Sequence, residues 1–213
     1  ICTIESMYEH IKFKNAINMR KANYDKFPST KLTGMLVQGW DSIISMLKKK
    51  MDARKVLAVD LYTGVYEEEV LDAFSKEFSG RVMNVRDLMK PEKEIQTLTE
   101  RFMTEDVLFG YVTNLKLEDY LDADKVAAAR KQISEAKETI VIIGTGVAVV
   151  APQDAMVVYA DMARWEIQQR FRRHEVKALG IDNRNDAVSL QYKRGYFNDW
   201  RYVIGIRKDC LTG

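Results

Sequence analysis

The chain alternates between short unbroken apolar runs and longer stretches in which apolar residues recur every three or four positions. The first pattern is that of strands buried on both faces, the second that of amphipathic helices. Five runs predict strands: Val56 to Val59, Arg81 to Val85, Asp106 to Val112 (DVLFGYV), Thr139 to Ile143 (TIVII) and Ala155 to Ala160 (AMVVYA). The periodic stretches predict a helix over Thr33 to Met51, carried by Leu36, Trp40, Ile43, Ile44 and Leu47, and a second after Gly64, carried by Val70, Leu71, Phe74 and Phe78. A third starts at Pro91 and runs through Ile95, Leu98 and Phe102. A fourth covers Asp124 to Lys137, with Val126, Ala129, Ile133 and Ala136 inward, and a fifth covers Met162 to His174, with Trp165 and Ile167 packed.

Strands that alternate with helices predict an α/β fold of three layers, a parallel sheet with helices on both faces and a ligand crevice at the carboxyl ends of the strands. Leu117 to Leu121 adds a short helical turn. Beyond Gly180 the pattern weakens. Ile181 to Asp186 is a polar loop, and the aromatic and basic stretch Leu190 to Tyr202, with a central glycine, predicts a hairpin or capping loop. Residues 1–30 are mixed and charged and read as a leader or loose arm. A chain that opens on Ile1 and stops at Gly213 without closing an element reads as a fragment.

Composition narrows the function classes. With 213 residues and 46% hydrophobic content the chain can build one α/β core. The 33 basic and 31 acidic residues give +2, so no whole-chain field recruits nucleic acid or an anionic membrane. Cys2 and Cys210 lie at opposite ends without metal-ligand spacing and read as free thiols of a reducing compartment. No apolar run approaches the roughly 20 residues that span a bilayer, and cytoplasm is the expected location. The only histidines, His10 and His174, assemble no zinc site with those cysteines.

Candidate chemistry gathers at the strand ends. The loop Asp60-Leu61-Tyr62-Thr63-Gly64-Val65-Tyr66 follows the first strand, where a phosphate loop would stand. It has one glycine and lacks the lysine and the magnesium-binding hydroxyl of that motif, and Glu67, Glu68 and Glu69 occupy the start of the next helix. Carboxylates there satisfy the positive end of the helix dipole and repel an incoming anion, so a triphosphate cradle is not expected. Asp87, just past the second strand, is a candidate base facing an acceptor hydroxyl, or else a cap or solvated residue. Gly144-Thr145-Gly146 resembles half of a dinucleotide fingerprint, but the third glycine and helix are missing, so the glycines instead read as points of close backbone approach that line the crevice. Arg164, Arg170, Arg172 and Arg173 ring the last long helix, either as a solvated basic end or as anion-binding forks.

The stretches YDKFPSTKLTG (24–34), RDLMKPEKEI (86–95), TEDVLFGYVTNLKLEDYLD (104–122), GTGVAVVAP (144–152), VVYADMARWEIQQRFRR (157–173) and YKRGYFNDWR (192–201), with the segment from Lys55, resemble the amino-terminal domain of long bacterial class I mannose-6-phosphate isomerase-like proteins. The resemblance covers 23–201, leaving 1–22 as a loose leader and 202–213 as a truncated tail or the start of a linker. It implies a degenerate relative of the uridine-kinase-like P-loop nucleoside kinases, placed ahead of a cupin that carries the zinc and the isomerase chemistry of carbohydrate metabolism. On that likeness Asp60, Thr63 and Gly64 take the phosphate-loop position, Asp87 the acceptor-side acid, Gly144, Thr145 and Gly146 the loop after the fourth strand, and the four arginines the lid. No cofactor or metal is then expected in this chain, and the cupin is the expected partner, with a homodimer an option. The chain alone would bind a phosphorylated sugar or nucleotide or act as a scaffold without catalysing. The alternatives are an active small-molecule kinase with a rebuilt site and a structural interaction module using the Tyr192 to Tyr202 stretch.

Overall fold

The computed structural model describes residues 29, 31 and 34–202. Residues 1–37 and 38–213 form two compact units, and every helix and strand among the described residues belongs to the second. In chain order these are α1 (Trp40–Met51), β1 (Val56–Leu61), α2 (Glu67–Glu77), β2 (Arg81–Asn84), α3 (Glu92–Met103), α4 (Ala123–Glu135), β3 (Ile140–Gly144), β4 (Met156–Ala160), α5 (Arg164–Arg172) and α6 (Val188–Arg194). Short 3-10 turns cover Val85–Leu88, Leu117–Tyr120 and Val147–Val149, and a π-helix, Gly195–Asp199, continues α6. The leader, Cys2, His10, Cys210 and the tail from residue 203 lie outside the described residues.

The four strands form one parallel sheet in the order β2-β3-β1-β4, with Asp60 of β1 opposite Gly144 of β3. Both central strands are buried throughout, which is why each opens on an unbroken apolar run, Val56 to Val59 and Ile140 to Ile143. Alternation within each strand feeds two cores. Leu57, Val59, Val141 and Ile143 pack against Ile44 and Leu47 of α1 and Val70 and Phe74 of α2. On the other face Ala58, Ile140 and Ile142 pack against Ile95 of α3, Val126 and Ile133 of α4, and Leu117 and Tyr120. The fold is therefore a three-layer α/β sandwich. A third cluster, Tyr62, Ile167, Phe171, Val176 and Trp200, joins α5 and the π-helix to the end of β1.

Four expectations need correction. DVLFGYV is not a strand. The Asp106 carboxylate turns back to accept the amides of Leu108 and Phe109, both at 2.7 Å, and the segment becomes a loop with its large side chains in solvent. The first helix begins at Trp40, after Gly39 at φ 85°, and not at Thr33. Leu190 to Tyr202 is helical, with Gln191, Lys193, Arg194, Asn198 and Asp199 buried, so its inward face carries polar side chains that conceal the helical period. Trp165 faces solvent while Ile167 packs.

Candidate functional site

From β1 the chain passes to β2 on one side of the sheet, and from β3 it passes to β4 on the other, so the adjacent carboxyl ends of β1 and β3 form a topological switch point, where ligands bind in open α/β sheets. A cleft of about 190 Å³ opens there. Its floor is the loop after β1 (Leu61 to Tyr66), one wall is the start of α2 with Asn84 and Arg86, and the other is the segment Glu175 to Leu179 with Arg184.

The loop owes its course to α5. Gly64 has φ 96°, and a Cβ there would lie 2.9 Å from Ile167, so only glycine allows the loop to pass this close. Arg170 donates to the Gly64 carbonyl at 2.7 Å and lies 3.6 Å over the Tyr66 ring, with Glu166 holding its Nε at 3.2 Å. Tyr66 and Arg173 both donate hydrogen bonds to Glu175, and the first of these ties the floor to the wall that Glu175 opens. Arg173 first, then Tyr66, holds the Glu175 carboxyl below its usual range. Behind the far wall, Asp199 of the π-helix accepts the Leu179 amide at 3.1 Å.

Each carboxylate at the start of α2 has a partner. Glu67 accepts from Arg86 Nε at 3.0 Å and from Asn84 at 2.8 Å, Glu68 from Lys177 at 3.2 Å, and Glu69 from the Trp40 indole at 2.9 Å. No side chain caps the helix, and Tyr66 occupies the cap position. Asn84 also accepts the Arg86 amide at 2.8 Å, which turns the Arg86 side chain into the cleft. Only Nε of Arg86 is used; its two terminal amino groups make no hydrogen bond among the described residues. Thr63 Oγ1, in the cleft floor, is buried without a hydrogen-bond partner among the described residues.

The residues marked in the sequence divide. Thr63, Gly64 and Thr145 line the cleft, and Thr145 donates to the Leu61 carbonyl at 2.9 Å. Asp60, Gly144 and Gly146 lie outside its lining. The Asp60 carboxylate accepts the Gly146 amide at 3.0 Å and so supports the turn after β3. Burial pushes this carboxyl up to about 6, against the opposing pull of the Gly146 and Ala148 amides. Gly144 meets Val85 and Gly146 meets Leu117 at distances that leave no room for a Cβ, which makes them points of close approach. Asp87 is exposed outside the cleft, and its carbonyl accepts from Lys125. Arg164 and Arg172 lie over the Trp200 and Trp165 rings, while Arg170 and Arg173 serve the loop and the wall.

Sequence reasoning missed Arg86, Asn84, Lys177 and Arg184 as cleft residues. Arg86 carries a usable signal, since it lies two residues past the end of β2. Among the described residues no group of three or more His, Cys, Asp or Glu could hold a metal ion, and no helix is long and apolar enough to cross a membrane.

Sheet order and cleft together define a parallel α/β domain with a small, charged site at its switch point. The chain belongs to a family described as a domain of unknown function, DUF8485, which matches residues 39–213. No curated protein and no solved structure matches it.

Proposed function

We propose that this domain binds a small polar molecule through one anionic group, with a phosphate monoester on a sugar as the favoured class. The observation that carries this reading is the free end of Arg86. The Arg86 guanidinium lines the cleft with its Nε held by Glu67 and its two terminal amino groups without a hydrogen bond among the described residues, and the same cleft carries an unpartnered buried hydroxyl and the first turn of a helix without a side-chain cap. A guanidinium fork fits a phosphate or carboxylate.

Charge and volume limit the ligand. Each wall carries both signs, Glu67 and Glu68 with Arg86 on one and Glu175 with Lys177 and Arg184 on the other, so the lining is balanced and disfavours a polyphosphate. At about 190 Å³ the cleft is also smaller than the roughly 300–1,000 Å³ of pockets for larger ligands. Binding without phosphoryl transfer is the favoured role, because the loop lacks the motif's lysine and the candidate base Asp87 is exposed outside the cleft. The likeness to mannose-6-phosphate isomerase-related proteins and to a degenerate P-loop kinase makes a hexose 6-phosphate the first ligand to test, with a cupin as scaffold partner and a cytoplasmic setting.

The test is a thermal-shift panel of mannose 6-phosphate, fructose 6-phosphate, ATP with magnesium, uridine and inorganic phosphate on the wild type and Arg86→Ala. At a hundredfold excess over Kd a ligand adds about 2.7 kcal/mol. Stabilisation by a sugar phosphate that Arg86→Ala removes supports the reading. A panel with no response from a folded sample would leave a scaffold without a small-molecule ligand.

A further inference from the structure

We propose that the loop 106–112, together with Tyr192 and Tyr196, is a homodimer interface, covered by the same surface of a second copy of this chain. Val107, Leu108, Phe109, Tyr111 and Val112 are each 55 to 69% exposed. Five large apolar residues turn outward within six positions and find no cover among the described residues.

The backbone beneath them is fixed. Asp106 accepts the Leu108 and Phe109 amides, Thr104 Oγ1 donates to the Phe109 carbonyl at 2.6 Å, and the Tyr111 and Thr113 amides donate to the Phe102 and Phe197 carbonyls at 2.8 and 2.9 Å. The buried ammonium of Lys193 closes the base of the loop on the carbonyls of Thr104 and Asp106. A surface held in this way has little order left to lose on association.

The patch extends beyond the loop. Gly110 lies against the Phe197 ring, Phe197 meets Tyr196 edge-on at 5.0 Å, and Tyr196 stacks on Tyr192 at 6.4 Å, both tyrosines being exposed. With each large aromatic offering about 150–250 Å² in full, the exposed fractions of Phe109, Tyr111, Tyr192 and Tyr196 amount to roughly 320–530 Å², and Val107, Leu108 and Val112 add to it. The largest apolar patch on a typical monomer is about 300–600 Å². A standard interface takes about 800 Å² from each partner. One copy of this patch, with the polar residues that border it, thus supplies the apolar centre of one half of an ordinary two-fold interface, in which a surface meets itself.

Charge favours a second copy over a lipid surface. Glu105 and Asp106 precede the apolar run, Lys116 follows it, and Arg201 lies 4.9 Å over the Tyr196 ring, so both signs border the patch. Membrane-inserting segments instead carry a basic surround. None of these residues lines the cleft, so dimerisation and ligand binding can fail independently.

Sedimentation equilibrium of the full chain, with Phe109→Asp/Tyr111→Asp and the single variant Tyr111→Arg, tests this. The wild type should show twice its 24.6 kDa, and both variants the monomer mass with unchanged far-UV circular dichroism and Tm. A wild type that stays monomeric overturns the proposal, whether or not it sediments with phosphatidylcholine–phosphatidylserine vesicles. So does a dimer that folded Tyr111→Arg leaves intact.

Discussion

Replacing Asp60 by asparagine should remove a pH dependence of stability that the wild type carries between pH 4 and 7. Asp60 is fully buried, and loss of solvent raises its carboxyl from 3.8 to about 6 despite the Gly146 and Ala148 amides. The folded state therefore holds this proton more tightly than the unfolded state. By linkage the group lowers native stability as pH rises from 3.8 to about 6 and restores it on acidification. At about 1.4 kcal/mol per pKa unit the effect is on the order of 3 kcal/mol. Glu166, Glu175 and Asp182 act in the opposite sense, because their arginine partners hold them below the usual range, but they are common to both proteins and cancel in the difference. Asparagine keeps an acceptor for the Gly146 amide and does not titrate. Urea unfolding at pH 4, 5, 6 and 7 reads the result. At pH 4 the unfolded carboxyl is still partly ionised, so about four-fifths of the effect falls between pH 7 and pH 4, and with a slope of roughly 2 kcal/mol per molar urea the wild-type midpoint should gain about 1.2 M over the variant. Parallel profiles would refute the desolvated carboxylate.

Gly146→Ala should cost on the order of 2–4 kcal/mol by denaturant unfolding, since the residue has φ 87° and its Cβ would lie 2.0 Å from Leu117 Cδ2. Arg170→Ala should lower stability by about 1–3 kcal/mol and weaken ligand binding together, because it frees the Gly64 carbonyl and the Tyr66 ring; binding that survives a clear loss of Tm would separate the loop from the cleft.

The layers were legible and the site was legible only in part. Val56 to Val59 and Thr139 to Ile143 could be read because a parallel strand covered on both faces has no reason to alternate. DVLFGYV has the same composition, yet Asp106 captures its first amides and Thr104 its Phe109 carbonyl, so local hydrogen bonds win over strand pairing. The helix Val188–Arg194 escaped because Gln191 and Arg194 are buried as polar groups, Arg194 through Thr99 at 2.9 Å, and an apolar period cannot reveal them. In the cleft, Thr63, Gly64 and Thr145 follow strands and were accessible to pattern reasoning. Lys177 and Arg184 come from a chain segment far from those strands, and only folding brings them there. In the sequence the acidic run Glu67 to Glu69 stands as a barrier to anions. Its pairing with Asn84, Arg86, Lys177 and Trp40 turns those charges into supports for the cleft wall.

Isothermal titration of mannose 6-phosphate, and of mannose in parallel, into the wild type and Arg86→Ala tests the central claim most directly. The account expects saturable heat from the phosphate ester alone, lost in the variant while its Tm is retained. Equal heats for the two proteins, or for the two sugars, would contradict recognition of an anionic group by Arg86.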